Sequence, residues 1–143
     1  MKTKTFLVTV ITSFLLIGGA GCENETNISD LYHSWKFEGF KYLSNSSFEK
    51  ADPSDCENCY IFTLSDEGKI TGRTSTNTIF GEFQIEKQNM KIINFGGTEI
   101  NELGNGQKYI ETMSLIEKYE ISNNELKLYY NQNQNYLLFK LLK

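Results

Sequence analysis

The sequence predicts a mainly β protein: a small curled antiparallel sheet or barrel of about eight strands with one short α-helix. Three observations carry this. Short runs of strand-forming residues recur along the chain, several of them alternating apolar and polar side chains. Turn sequences separate those runs at close spacing: SDEG at 65–68, QN at 88–89, SNNE at 122–125 and NQNQ at 131–134. Only one stretch, spanning about residues 106–116, places apolar side chains at helical intervals.

The first strand lies in LYHSWKFEGFKYL, where Trp35 and Phe37 alternate with Lys36 and Glu38. After Gly39 the apolar phase moves to Phe40 and Tyr42, which predicts a bulge or bend at the glycine. Residues 44–58 are polar, hold the only proline, Pro53, and read as a long loop. CYIFTL at 59–64 is a strand, SDEG turns it, and KITGRTST and GEFQIEK follow, with Phe83 and Ile85 alternating against Glu82, Gln84 and Glu86. MKIINF is the next strand. In the helical stretch Tyr109, Ile110, Met113 and Ile116 share a face. KYEI, LKLYY and NYLLFKLL then end the β pattern. The large side chains Trp35, Phe62, Phe83, Leu128 and Leu138 predict a filled interior. There is no internal repeat and no sign of a second domain.

Ahead of these strands, MKTKTFLVTVITSFLLIGGAGC has a positive start, a short apolar run from Phe6 to Ile17, and small residues before Cys22. That pattern describes an export signal, and the run is short for a bilayer span, which needs about 20 apolar residues. The cysteine after the small residues resembles a bacterial lipoprotein signal, although Gly19 stands where such leaders usually carry Leu. The resemblance implies a signal peptide over residues 1–21, acylation of Cys22, a tether over 22–30, and a single β domain over 31–143. The polar ENETNIS behind Cys22 reads equally as a solvated linker or as a surface-export signal.

Taking Lys2 and Lys4 from the 14 basic side chains leaves 12 against 18 acidic, a formal charge of −6 after the leader. That balance argues against a nucleic-acid partner and against direct adhesion to anionic lipid. Membrane attachment then rests on the acyl chains of Cys22, and more than one chain gives durable anchoring. The expected location is the bacterial cell envelope, at the outer membrane.

With Cys22 assigned to lipid, Cys56 and Cys59 remain in DCENCYIFTL. Their spacing occurs in redox pairs, but the following strand and the acidic neighbours Asp55 and Glu57 oppose thiolate formation. In an oxidising compartment a local structural disulfide is the better reading. Two cysteines and the single histidine, His33, do not make up the four ligands of a structural zinc site. No metal or cofactor is expected.

The stretch TGRTSTNTIFGEF, residues 71–83, carries the densest polar signal. It lacks the following lysine of a phosphate cradle, and Ser75 lacks the flanking glycines of a nucleophile elbow. A triad of Ser75, His33 and an acid has no support in spacing. A structural reading fits better: Gly72 leaves room for a neighbour, Asn77 holds a tight corner through its amide, and Gly81 lets the chain re-enter a curved sheet. Acid pairs at Glu99/Glu102 and Glu117/Glu120 could in principle do glycosidase work, but solvated positions are expected for them. Arg73, the only arginine, is expected in a surface ion pair. Alternation puts half of Tyr119, Tyr129, Tyr130 and Tyr136 in the core.

Gly72, Asn77, Gly81 and Phe83 together resemble the glycine, asparagine, glycine and aromatic signature of META domains, the group that includes the heat-shock protein HslJ. Thr98 in FGGTEINEL matches that family's threonine after the next strand, and the opening HSWKFEGF and the closing helix and strands fit as well. The similarity spans roughly residues 31–142. The cysteine that often follows the family threonine is missing, since EINEL stands there. The resemblance implies a barrel-like β fold with one helix and an envelope protein linked to stress, with no catalytic mechanism. The leading expectation is a non-enzymatic, lipid-anchored binder of a protein or envelope component. The alternatives are a surface inhibitor of a hydrolase that inserts loop 44–58, or a ligand-binding β-barrel.

Overall fold

The computed structural model describes residues 27–143. The leader 1–21, Cys22 and the first part of the tether lie outside the described residues. After a short 3-10 helix, Ile28–Leu31, come β1 (Ser34–Tyr42), β2 (Phe48–Lys50), β3 (Ile61–Leu64), β4 (Lys69–Arg73), β5 (Thr78–Glu86) and β6 (Asn89–Gly97). The helix α1 (Gly106–Met113) precedes β7 (Lys118–Ser122), β8 (Glu125–Tyr130) and β9 (Asn135–Leu141).

All strand pairs are antiparallel, and neighbours in sequence are neighbours in space from β3 to β9. The ring closes because β1 pairs along its length with β9, from Trp35↔Leu141 to Tyr42↔Asn135. The other edge of β1 is shared: Ser34–Lys36 pair with β3 and Gly39–Lys41 with β2. The expected bulge is there. The β1–β9 register shifts between Phe37 and Gly39, so Phe37 and Phe40 both point inward. Gly39 sits at φ +156°, and a Cβ there would lie 2.3 Å from the Glu49 carbonyl oxygen.

The strand β2 was not expected, because Phe48-Glu49-Lys50 lies among Ser and Asn in the segment read as loop. Its order comes from pairing with β1. The interior is filled by Trp35, Phe37, Phe40, Phe62, Phe139 and Tyr109, each at most 1% exposed. Burial of each such side chain is worth about 1.5–3 kcal/mol. Phe83 and Leu128 are core as expected. Leu138 is not: β9 alternates so that Leu137 and Phe139 point inward and Leu138 outward. Of the tyrosines, Tyr119 and Tyr130 are buried, while Tyr129 and Tyr136 are half-buried on the outer face, their tilted rings 5.3 Å apart.

The helix ends at Met113, earlier than its pattern extends. Tyr109 and Met113 are fully buried, and the Tyr109 ring meets Phe37 at 4.8 Å, so α1 packs onto the barrel interior. The ring is thinnest between β6 and β7, where Asn89↔Lys118 is the sole register pair. Where these strands part, Ile85, Met90, Leu115 and Ile116 help line an open groove of about 930 Å³.

Candidate functional site

The turn between β4 and β5 is built by Thr74 and Asn77. The Thr74 backbone N–H donates to the Asn77 carbonyl at 2.8 Å, and the Asn77 N–H donates to Thr74 Oγ1 at 2.9 Å. With its own turn closed, Asn77 directs its buried amide at the segment after β6. Its Oδ1 accepts from Thr98 Oγ1 at 2.7 Å and from the Ile100 N–H at 2.8 Å. Its Nδ2 donates to the Ile100 carbonyl at 2.6 Å and to Glu102 Oε1. Both lone pairs of the oxygen and both hydrogens of the nitrogen are thereby used.

Glu102 is the second hub. Its carboxylate accepts from Thr74 Oγ1 at 2.5 Å, from Ser75 Oγ, from the Thr76 N–H at 3.2 Å, and from Asn77 Nδ2. Partial burial pushes its pKa up, but the bonds from Asn77, Ser75, Thr74 and Thr76 outweigh this and hold the carboxyl below the ordinary glutamate range. The sequence reading placed Glu102 on a solvated face with Glu99. Only Glu99 is exposed. Glu102 lies more than 20 residues from its partners, so no local spacing signalled it. The helix starts against this cluster: a Cβ on Gly106 would lie 2.6 Å from Ser75 Oγ.

The remaining signature residues shape the barrel. A Cβ on Gly72 would lie 2.1 Å from the Ile61 carbonyl oxygen, so only glycine permits the β3–β4 approach. At Gly81 the β5–β6 register shifts between Phe80 and Glu82, and Phe83 returns the chain to the core.

Chemically the corner is saturated. The carboxylate of Glu102 is held ionised and fully engaged. Ser75 donates to it and accepts from the Leu103 N–H at 2.8 Å. His33 is not at hand. Its carbonyl accepts from Leu64 N–H, at one end of the β3–β4 hairpin, whereas Ser75 lies beyond Arg73 at the other. Arg73 makes no ion pair with a described residue, against expectation. Glu120 instead pairs with Lys127 at 3.0 Å, which lowers its pKa.

A second cluster abuts the first. Cys56 and Cys59 are joined as a disulfide. Lys36 Nζ, from β1, donates to the carbonyls of Cys56 at 2.8 Å, of Glu57 at 3.1 Å, and of Cys59. Burial lowers the Lys36 pKa, with Glu38 and Glu57 opposing. Cys59 Sγ lies 3.3 Å from the Ser75 carbonyl oxygen, and the Tyr60 N–H donates to the Thr74 carbonyl at 3.2 Å. The long loop 44–58 is tied down elsewhere too: Asn105 Oδ1 accepts from the Asp52 N–H at 2.9 Å and its Nδ2 donates to the Lys50 carbonyl at 2.9 Å. Among the described residues no group of His, Cys, Asp and Glu is arranged to hold a metal.

The fold is shared with solved structures of low identity. A protein from Burkholderia xenovorans matches with TM-score 0.65 at 15% identity, covering 100% of this chain and 99% of that one. A DUF4847 family protein from Bacteroides vulgatus matches with TM-score 0.59 at 17% identity, covering 77% of this chain and 92% of that one. No curated protein matches the sequence. The META domain family matches residues 33–142, a span that takes in the nine strands of the described residues and every residue of the Asn77 corner, and the chain belongs to that family.

Proposed function

We propose that this META-domain chain is a non-enzymatic protein of the bacterial cell envelope. It is anchored at the outer membrane by acyl chains on Cys22, and it binds a protein or other envelope component under stress. The supporting observation is the saturation of the signature corner: Asn77, Ser75 and Glu102 satisfy one another. Groups so engaged hold a shape: the carboxylate and the amide already have their hydrogen-bond partners within the corner. The packed interior likewise favours a binding surface over a ligand-holding lumen.

The test has two parts. Labelled fatty acid should enter the wild-type chain in cells and not Cys22→Ser. The purified protein, used to capture partners from envelope extract, should enrich a protein that then binds it as a purified pair. A hydrolase inhibited on binding would favour the inhibitor reading. Failure of any pair to re-form would sink the binding role.

A further inference from the structure

We propose that Cys56–Cys59 is a reversible dithiol–disulfide centre, opened by an external thiol at Cys56, with Lys36 as its positioning residue. This goes beyond the binding role and does not depend on it.

Access is the first observation. Cys59 is 5% exposed, whereas Cys56 is only half-buried. Thiol–disulfide exchange requires a thiolate to reach one sulfur while the other departs, and of the two residues Cys56 is the one that carries solvent-exposed surface. Charge is the second. The neighbours of the pair in sequence, Asp55 and Glu57, are acidic and oppose a thiolate. The neighbour in space is an ammonium, bound to the backbone carbonyls of both cysteines. Lys36 Nζ donates to three carbonyls of the turn, and a positive charge seated in that turn favours thiolate character there.

Accommodation is the third observation. In the disulfide, the 3.3 Å approach of Cys59 Sγ to the Ser75 carbonyl is a contact without a hydrogen. In the dithiol, the same carbonyl accepts the Cys59 S–H, so Cys59 keeps its seat in both states. The loop also has fastenings besides the sulfur bridge: the Ala51 N–H donates to the Glu38 carbonyl at 2.8 Å, and Tyr60 Oη donates to the Asp52 carbonyl at 2.5 Å.

The chemistry balances with two equivalents of thiol. A first thiolate attacks Cys56 Sγ. The new sulfur–sulfur bond forms as the Cys56–Cys59 bond breaks, and Cys59 leaves as a thiolate that takes a proton. A second thiolate attacks the external sulfur of the mixed disulfide and releases Cys56. The external thiols are oxidised to their disulfide, and the protein pair gains two electrons. The reverse sequence re-forms the bridge.

The test uses the full chain in buffers of reduced and oxidised glutathione, with peptide-resolved mass spectrometry of alkylated cysteines so that Cys22 is read separately. The native protein should open and reclose while its far-UV circular dichroism stays constant. In Cys59→Ser the Cys56 thiol should take up glutathione at least about tenfold faster than the Cys59 thiol does in Cys56→Ser. Lys36→Met should slow opening several-fold and Lys36→Arg should restore much of it. A bridge that opens only in denaturant would overturn the proposal. So would equal labelling of the two single-cysteine variants, or a folded Lys36→Met with an unchanged opening rate.

Discussion

Thr98 Oγ1 donates to Asn77 Oδ1 at 2.7 Å, and this bond ties the β4–β5 turn to the chain leaving β6. Asn77 binds both the N–H and the carbonyl of Ile100, as a paired strand residue would. Its side chain therefore continues the β5–β6 ladder past the last backbone pair. Replacing Asn77 by Ala leaves the Ile100 groups and Glu102 short of partners. Ile100 is exposed and Glu102 half-buried, so water can take over part of what Asn77 supplied; the expected loss is about 1–2 kcal/mol, read from urea denaturation, the net worth of one or two hydrogen bonds.

The pairing of Asn77 with Glu102 makes a sharper prediction. Asn77→Asp sets a second carboxylate against Glu102 and should destabilise the protein at neutral pH. Adding Glu102→Gln removes the repulsion and should recover part of the loss. A double-mutant cycle measures this, and purely additive effects would mean that the two side chains do not interact.

Acid sensitivity follows from the same carboxylate. Its folded pKa lies below the reference value of 4.5, so the unfolded chain binds the proton more readily. Its stabilising contribution is complete above the unfolded value and fades as pH falls through the folded one. Glu49 and Glu120 are shifted in the same direction. Thermal melts should therefore drop between about pH 5 and pH 3, where carboxylates take up protons. Glu102→Gln should flatten that drop, and an unchanged slope would show that other acids carry it.

Tyr109 is fully buried, and its hydroxyl has no partner among the described residues. Tyr109→Phe keeps the ring and removes an unpaired polar group, so it should leave stability unchanged or raise it. Tyr109→Ala deletes the ring against Phe37, Tyr60 and Phe139 and should cost about 3–5 kcal/mol. Melting temperatures of the two variants check both signs.

Gly72→Ala places a methyl group where the Ile61 carbonyl oxygen already lies, 2.1 Å away. Both sides of that contact are backbone, so relief requires the β3–β4 pair to separate. We expect a larger loss than from Gly96→Ala, where the nearest atom is the Phe80 ring at 3.9 Å. Equal effects in chemical denaturation would refute the steric account.

Much of the barrel was legible because its determinants are local. Alternation of Phe83 and Ile85 against Glu82, Gln84 and Glu86 marked the inward face of β5, and the phase change at Gly39 announced the bulge. Leu138 was misread because NYLLFKLL offers apolar residues in both phases, and only pairing with β1 and β8 selects Leu137 and Phe139. Phe48–Lys50 has no strand signal of its own. The corner was half legible: Asn77 and Thr98 stood out, but Glu102 and Lys36 take their roles from contacts 20 or more residues away in the chain.

The joining of β1 to β9 also has a kinetic meaning. The hairpins from β3 to β6, and those from β7 to β9, can each form from nearby residues. The ring cannot, because Trp35 must find Leu141 and the two ribbons must meet at Asn89 and Lys118. Contacts this distant in sequence slow folding, so closure should be the late step. The same narrow join should be the first to breathe, and amide hydrogen exchange at Met90 and Tyr119, which bridge it, should run ahead of exchange across the β1–β9 pair.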